Sequence, residues 1–325
     1  MGRRIGTALA VWLFFWVVST AASAADPQVT LRAGKRDNPN HGLAMEFAAT
    51  LNRPGSGAPG ILVEESQGSV QNVIDAARDH GRSLFTAPPN VIAEARRGDK
   101  PYGKNPRYQD IRALFPIPFQ TMHWVVRQDA QVKSFSDLAG RPFVPGARGS
   151  FGERQTAALI KTLGLENRLQ LIDIDSAGAP SALKNKQVIG FAVSGAYPIG
   201  ALKSLAGEVP LQLLSLTSDQ QKQLLASDGT TIAMTIPKGT YPGIEEDVAT
   251  VALPAGVYTT RRMSESEAFR ITKAFWTGRA TLAENSPVWQ AVTPDWLAVL
   301  GAQLHPGALK YYREAGIKVP PAQHK

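Results

Sequence analysis

Three short segments of this chain hold glycines, hydroxyls and amides where an apolar run gives way to an amphipathic one. The first runs from Gly34 to Gly42 and contains Lys35, Arg36, Asp37, Asn38, Pro39, Asn40 and His41. The second is Ser66-Gln67-Gly68-Ser69-Val70-Gln71-Asn72, and the third is Gly146-Ala147-Arg148-Gly149-Ser150-Phe151-Gly152. Free backbone N–H groups at a helix start, together with the helix dipole, attract an anion. Glycine lets the backbone approach a ligand with no side chain between them. Glycine and serine are also ordinary residues at turns and helix caps, so one such junction alone decides nothing. The same Gly-Ser chemistry in two separate halves of the chain favours a binding role. Arg148 is either a carboxylate clamp, through its planar fork of donors, or a solvent-exposed loop arginine. The expected ligand-binding set is Ser69, Asn72, Asn90, Arg148, Gly149, Ser150 and Tyr197, with Asn38 and His41 setting specificity.

Other chemistries find little support. The histidines (His41, His80, His123, His305, His324) fall on separate elements, and none has a partner at metal-ligand spacing. Gly149-Ser150-Phe151-Gly152 lacks the glycine-x-serine-x-glycine elbow of a hydrolase nucleophile. No Gly-Lys-Ser/Thr phosphate loop occurs. The absence of cysteine removes disulfides, thiolate metal sites, thiol nucleophiles and lipid acylation. A binding protein rather than an enzyme is expected, with no cofactor and no metal. The net charge of +8 is spread along the chain. Nucleic-acid binding would want a basic stripe interleaved with aromatics, and none is visible. A modest positive field favours small anions.

The junctions need elements to carry them. Val29 to Gly34, Ile61 to Glu64 and Ser83 to Thr86 read as strands, each followed by a helix, which indicates βαβ units and a parallel sheet. Ile111 to Phe119 and Met122 to Arg127 read as extended stretches interrupted by Pro116 and Pro118. A second strand set follows: Pro142 to Val144, Leu169 to Ile174, Val188 to Val193 and Leu211 to Leu216. Thr230 to Ile236 and Val248 to Tyr258 are again extended. Ser264 with Glu267 three residues later is a capping-box start for a long helix, and Pro306 to Ala315 reads as a last one. The expected fold is α/β of the two-lobed kind, with a ligand cleft between lobes and two crossing strands as a hinge. The expected boundaries are residues 25–120 plus 237–325 for one lobe and 121–236 for the other.

The first residues predict export. Arg3 and Arg4 precede an apolar run from Ala8 to Val18, and Ala22-Ser23-Ala24 supplies small residues for cleavage after Ala24. The run is short for a membrane span of about 20 residues. A cleaved signal peptide, residues 1–24, and a soluble, monomeric periplasmic protein are therefore expected.

With these residues in view, the chain resembles the TAXI family, the TRAP-associated extracytoplasmic immunogenic solute receptors. Gly68-Ser69-Val70-Gln71-Asn72 is similar to a family helix start, and Gly149-Ser150 to its second-lobe junction. Ile236-Pro237-Lys238-Gly239-Thr240-Tyr241-Pro242-Gly243 and Leu304-His305-Pro306-Gly307-Ala308-Leu309-Lys310-Tyr311-Tyr312-Arg313-Glu314 carry the resemblance most specifically. It implies a type II periplasmic-binding-protein fold that captures a small organic anion, of the dicarboxylate or acidic amino acid class. The partner it implies is a TRAP membrane permease. The same fold could instead report its ligand to a membrane sensor, and partner surfaces carry no readable motif. The sequence departs from the family where ligand identity is decided. Asp37-Asn38-Pro39-Asn40-His41, Pro88-Pro89-Asn90 and Phe151-Gly152 each replace a family pattern, which leaves the ligand's size and charge open. Tyr241 is ambiguous between hinge packing and a cleft wall.

Overall fold

The computed structural model describes Gly2 and residues 28–36, 39–78, 81–175 and 177–323. Apart from Gly2, the expected signal peptide lies outside the described residues, as does Asn38, and of Pro39 and Asn40 only the backbone is described.

The first three strands, β1 (Val29–Arg32), β2 (Ile61–Glu64) and β3 (Ser83–Ala87), alternate with helices α1 (Pro39–Leu51), α2 (Ser69–Ala76) and α3 (Pro89–Arg97). β1 pairs in parallel with both β2 and β3. β4 (Ile111–Pro116) and β12 (Gly256–Thr260) complete this sheet in the order β2-β1-β3-β12-β4, with β12 antiparallel to both of its neighbours. Every residue of β3 and β12 is buried, as expected for strands covered on both faces. The closing helices α8 (Glu265–Asn285) and α9 (Pro306–Glu314) pack on this lobe. Phe115 of β4 stacks on Phe275 of α8 at 3.9 Å, and Trp289 meets Phe47 edge-on. Ser264 caps α8 as its sequence foretells, its hydroxyl accepting from Glu267 N at 3.2 Å. Gly307 sits where α9 abuts α8, and a side-chain carbon there would collide with the Glu265 carbonyl.

The second sheet runs β10-β11-β5-β8-β6-β7, with β9 also on β5. Its strands are β5 (Gln120–Arg127), β6 (Pro142–Val144), β7 (Gln170–Leu171), β8 (Gly190–Gly195), β9 (Leu211–Leu213), β10 (Ile232–Ile236) and β11 (Val248–Leu253). Helices α4 (Phe151–Thr162), α5 (Ala179–Lys184), α6 (Gly200–Glu208) and α7 (Ser218–Asp228) lie on its two faces, over two separate apolar clusters.

Two passages join the sheets. The chain leaves the first through Pro116 to Gln120 and returns between Leu253 and Gly256. The passages run antiparallel: Leu253 pairs with Gln120, Ile117 N donates to Ala255 O at 3.2 Å, and Gly256 pairs with Pro116. The molecule is thus two α/β lobes with a cleft and a two-strand hinge, the type II periplasmic-binding-protein architecture. The return expected at residue 237 is displaced. β10 and β11 form an antiparallel pair and β11 pairs onward with β5, so the second sheet holds the chain to residue 253. The stretch read as one strand from Val248 to Tyr258 is two strands in different sheets.

Candidate functional site

Two cavities open on the cleft. The larger, about 840 Å³, lies along the flank of α4, bounded by Asn90 and Val91 of α3 and by Ser227 and Asp228 at the end of α7. The smaller, about 620 Å³, lies at the carboxyl end of β8. Open α/β sheets bind ligands at strand carboxyl ends, where helix N-termini face the crevice. The smaller cavity has that geometry, so it is the candidate site despite its lesser volume.

Its walls come from both lobes and the hinge. Gly42, Leu43 and Glu46 of α1 line one side, with Ser286 and Val288 from the segment after α8. Pro118 and Gln120 of the hinge form the floor. The second lobe contributes Gly146, Ala147, Ser150 and Phe151 at the start of α4, the strand end from Ala192 to Ala196, and Pro198, Ile199 and Gly200 at the start of α6. Ser150 caps α4, its Oγ accepting from Glu153 N at 3.1 Å. The first-turn N–H groups of Phe151 and Gly152 are left without helical partners. Gly146 is required here: its φ is +120°, and a Cβ would stand 2.7 Å from Glu153 N.

The start of α6 is fixed from below. Ile199 N donates to Tyr241 Oη at 2.9 Å, and Tyr241 Oη lies 2.9 Å from His123 Nε2. His123 Nδ1 is 3.0 Å from the Thr121 carbonyl. A carbonyl only accepts, so Nδ1 carries the proton, and Nε2 accepts from the Tyr241 hydroxyl. Burial lowers the His123 pKa to about 4, against the opposing effect of the Thr121 hydrogen bond. The same burial raises that of the Tyr241 phenol. This neutral chain ties the hinge strand to the cavity wall. Tyr241 is therefore neither hinge packing nor ligand wall, but the support under the wall.

The residues expected from sequence do not converge on one cavity. Ser150 lines the smaller one and Asn90 the larger. Asn90 Nδ2 donates to Glu94 at 3.2 Å. Asn72 is buried, and its Nδ2 bridges the Arg32 and Thr86 carbonyls at 3.2 and 3.1 Å, tying β1 to β3. Ser69 opens α2 behind Gly68 and lines neither cavity. His41 Nδ1 lies 3.1 Å from the Gly34 carbonyl, one residue before Gly42 of the cavity wall. Gly149, at φ +73°, turns its N–H to the Glu153 carboxylate at 2.5 Å. Tyr197 packs between the second-lobe core and the hinge cluster of Phe119, Met234 and Ala252, while its neighbours Ala196 and Pro198 line the cavity. Arg148, read as either a carboxylate clamp or a solvent-exposed loop arginine, is exposed. Its guanidinium is paired with Asp173 on the surface, and it lines neither cavity.

Sequence reasoning missed Glu46, Gln120, Ser194 and Ser286. Glu46 is the sole ionisable side chain among the described residues lining the cavity, and its Oε2 accepts from Trp289 Nε1 at 2.6 Å. Only its place one turn after Gly42 could have marked it. Ser194-Gly195 at a strand end was the more readable signal. Among the described residues, no group of three or more His, Asp or Glu side chains is placed to hold a metal.

The family model described as NMT1-like matches residues 43–316, most of the chain and all the cavity walls except Gly42. The chain belongs to the NMT1-like family. Among solved structures, this NMT1-like chain is similar to a TctC solute binding protein from Polaromonas. The two share 13% identity at a TM-score of 0.50, over 84% of this chain and 88% of that one. The periplasmic binding protein BugD shares 16% identity at a TM-score of 0.45, over 90% and 99% of the two chains. The aliphatic sulphonate binding protein SsuA from Escherichia coli shares 13% at 0.45, over 90% and 84%. The TctC likeness agrees with the two-lobed architecture.

Proposed function

We propose that this chain is an exported solute-binding receptor of the TAXI kind, which captures a small carboxylate-bearing molecule between its lobes and presents it to a TRAP-type membrane permease. In this reading residues 1–24 are a cleaved signal peptide and the protein works as a monomer in the periplasm. One lobe comprises the chain to Pro116 and from Gly256 onward, and the other lies between. The observation that carries the proposal is the cavity of about 620 Å³ walled by both lobes across a two-strand hinge. Its volume suits a small ligand, and bending at the hinge would close the lobes on it. The carboxylate would sit at the starts of α4 and α6, near Ser150, where free N–H groups and two helix dipoles favour negative charge. A ligand that binds the closed form better shifts the population toward it, and the permease reads the closed surface.

The test is paired. The mature protein, refolded to remove carried-over ligand, is screened by melting temperature against small carboxylates. A ligand at about 100 times its Kd adds about 2.7 kcal/mol of stability. The compound found is then offered to vesicles holding the candidate permease. Uptake only when the receptor is present supports the proposal. Binding without receptor-dependent uptake contradicts the transport part of it.

A further inference from the structure

The charge around the cavity is uneven. On the first lobe stands Glu46, with no lysine, arginine or histidine among the described lining residues. One of its oxygens is held by Trp289 Nε1, which fixes the carboxylate at the cavity wall and leaves the other oxygen to accept. On the second lobe the lining includes the starts of two helices, α4 at Ser150 and Phe151 and α6 at Ile199 and Gly200. Helix starts carry partial positive charge. The Glu153 carboxylate in the first turn of α4 accepts from Gly149 N and offsets part of that charge, so the cavity presents a carboxylate on one lobe and, on the other, helix-start N–H donors with no ionisable side chain among the described lining residues. Arg148, the cation that a dicarboxylate would need, is turned to Asp173 on the surface.

From this asymmetry we infer that the ligand is an amino-carboxylate, with its ammonium group facing Glu46 and its single carboxylate at the starts of α4 and α6. The inference rests on the proposal that the cleft binds a carboxylate, and narrows it. A dicarboxylate would set one anionic end against Glu46 with no cation among the described lining residues to offset the repulsion, whereas an ammonium group there gains a charge-assisted hydrogen bond. Each lobe then holds one end of the molecule, and the ligand's two charges bridge the cleft. Specificity follows from the penalty on the wrong end group as much as from the reward for the right one.

The experiment uses pairs of compounds that differ only in the ammonium group, 4-aminobutanoate against butanoate and leucine against 4-methylpentanoate, with succinate as the dicarboxylate. Affinities are measured by calorimetry on the wild-type protein and on Glu46→Gln. Glutamine keeps an acceptor for Trp289 Nε1 while removing the charge, so the wall is preserved, and matching thermal unfolding of the two apo proteins checks this. The expected result is that at least one amino-carboxylate binds and that its deaminated partner is weaker by about 10- to 150-fold, the worth of a charged hydrogen bond. Glu46→Gln should abolish most of that difference and should not weaken the deaminated compound. Equal affinity for both members of a pair, unchanged in Glu46→Gln, overturns the inference while leaving carboxylate binding intact. Tighter binding of succinate than of every amino-carboxylate does the same. Binding of none of these compounds overturns the carboxylate reading of the cleft, and the inference with it.

Discussion

Lowering the pH should loosen this protein through His123. Its ring is fully buried and neutral, bonded to the Thr121 carbonyl and the Tyr241 hydroxyl. Burial lowers its pKa from 6.5 to about 4. As pH falls below about 6.5 the unfolded chain takes up this proton, while the folded chain refuses it until about 4. In that window the unfolded state binds more protons, so stability rises with pH and falls as acid is added. The contribution is fully present above pH 6.5, declines between 6.5 and 4, and is constant below. At about 1.4 kcal/mol per pKa unit, the loss across the window is about 3 kcal/mol. Urea unfolding of the wild type and of His123→Gln at pH 7.5 and 4.5 measures it. Glutamine does not titrate, so the variant should lose less stability on acidification, by about 2–3 kcal/mol. His305, which burial shifts in the same direction, is present in both proteins and cancels in the comparison. An identical pH response in the two proteins would refute the argument.

Tyr241→Phe removes the hydroxyl that accepts from Ile199 N and serves His123 Nε2. It should cost about 2 kcal/mol in urea unfolding, because the buried His123 ring nitrogen and the part-buried Ile199 N–H lose their partner. It should also weaken ligand binding in calorimetry, because Ile199 and Gly200 form the cavity wall. Arg148→Ala should leave affinity within about twofold and stability within about 1 kcal/mol, the range of exposed ion pairs. A large loss of affinity would place Arg148 at the ligand after all.

Local signals were legible in the sequence and long-range ones were not. Ser264 and Glu267 declare a helix start because capping is a matter of neighbours in the chain, and the structure closes that bond. The two crossing strands were visible as extended runs interrupted by prolines. What the sequence hid was which sheet each run joins. Val248 to Leu253 pairs with β5 and Gly256 to Thr260 with β3 and β4, and nothing in their similar apolar composition says so. The pairing of Arg148 with Asp173 was hidden because the two are remote in the chain and meet only through the fold. Asn72 is a polar residue at a promising glycine-rich junction, yet its amide spans two strands of the core. Glu46 looked like one more polar residue between Met45 and Phe47. Its significance lies in facing a cavity whose other walls come from residues 118–120, 146–151, 192–200 and 286–288, a convergence no local pattern records.

Closure of the lobes on a bound small carboxylate is the central claim, and small-angle scattering tests it most directly. The mature protein is measured free and then saturated with the tightest compound from the calorimetric panel, with occupancy confirmed on the same sample. A smaller radius of gyration in the bound sample, reversed when ligand is dialysed away, is the predicted result. Full occupancy with an unchanged scattering curve would contradict a receptor that signals its loaded state by closing.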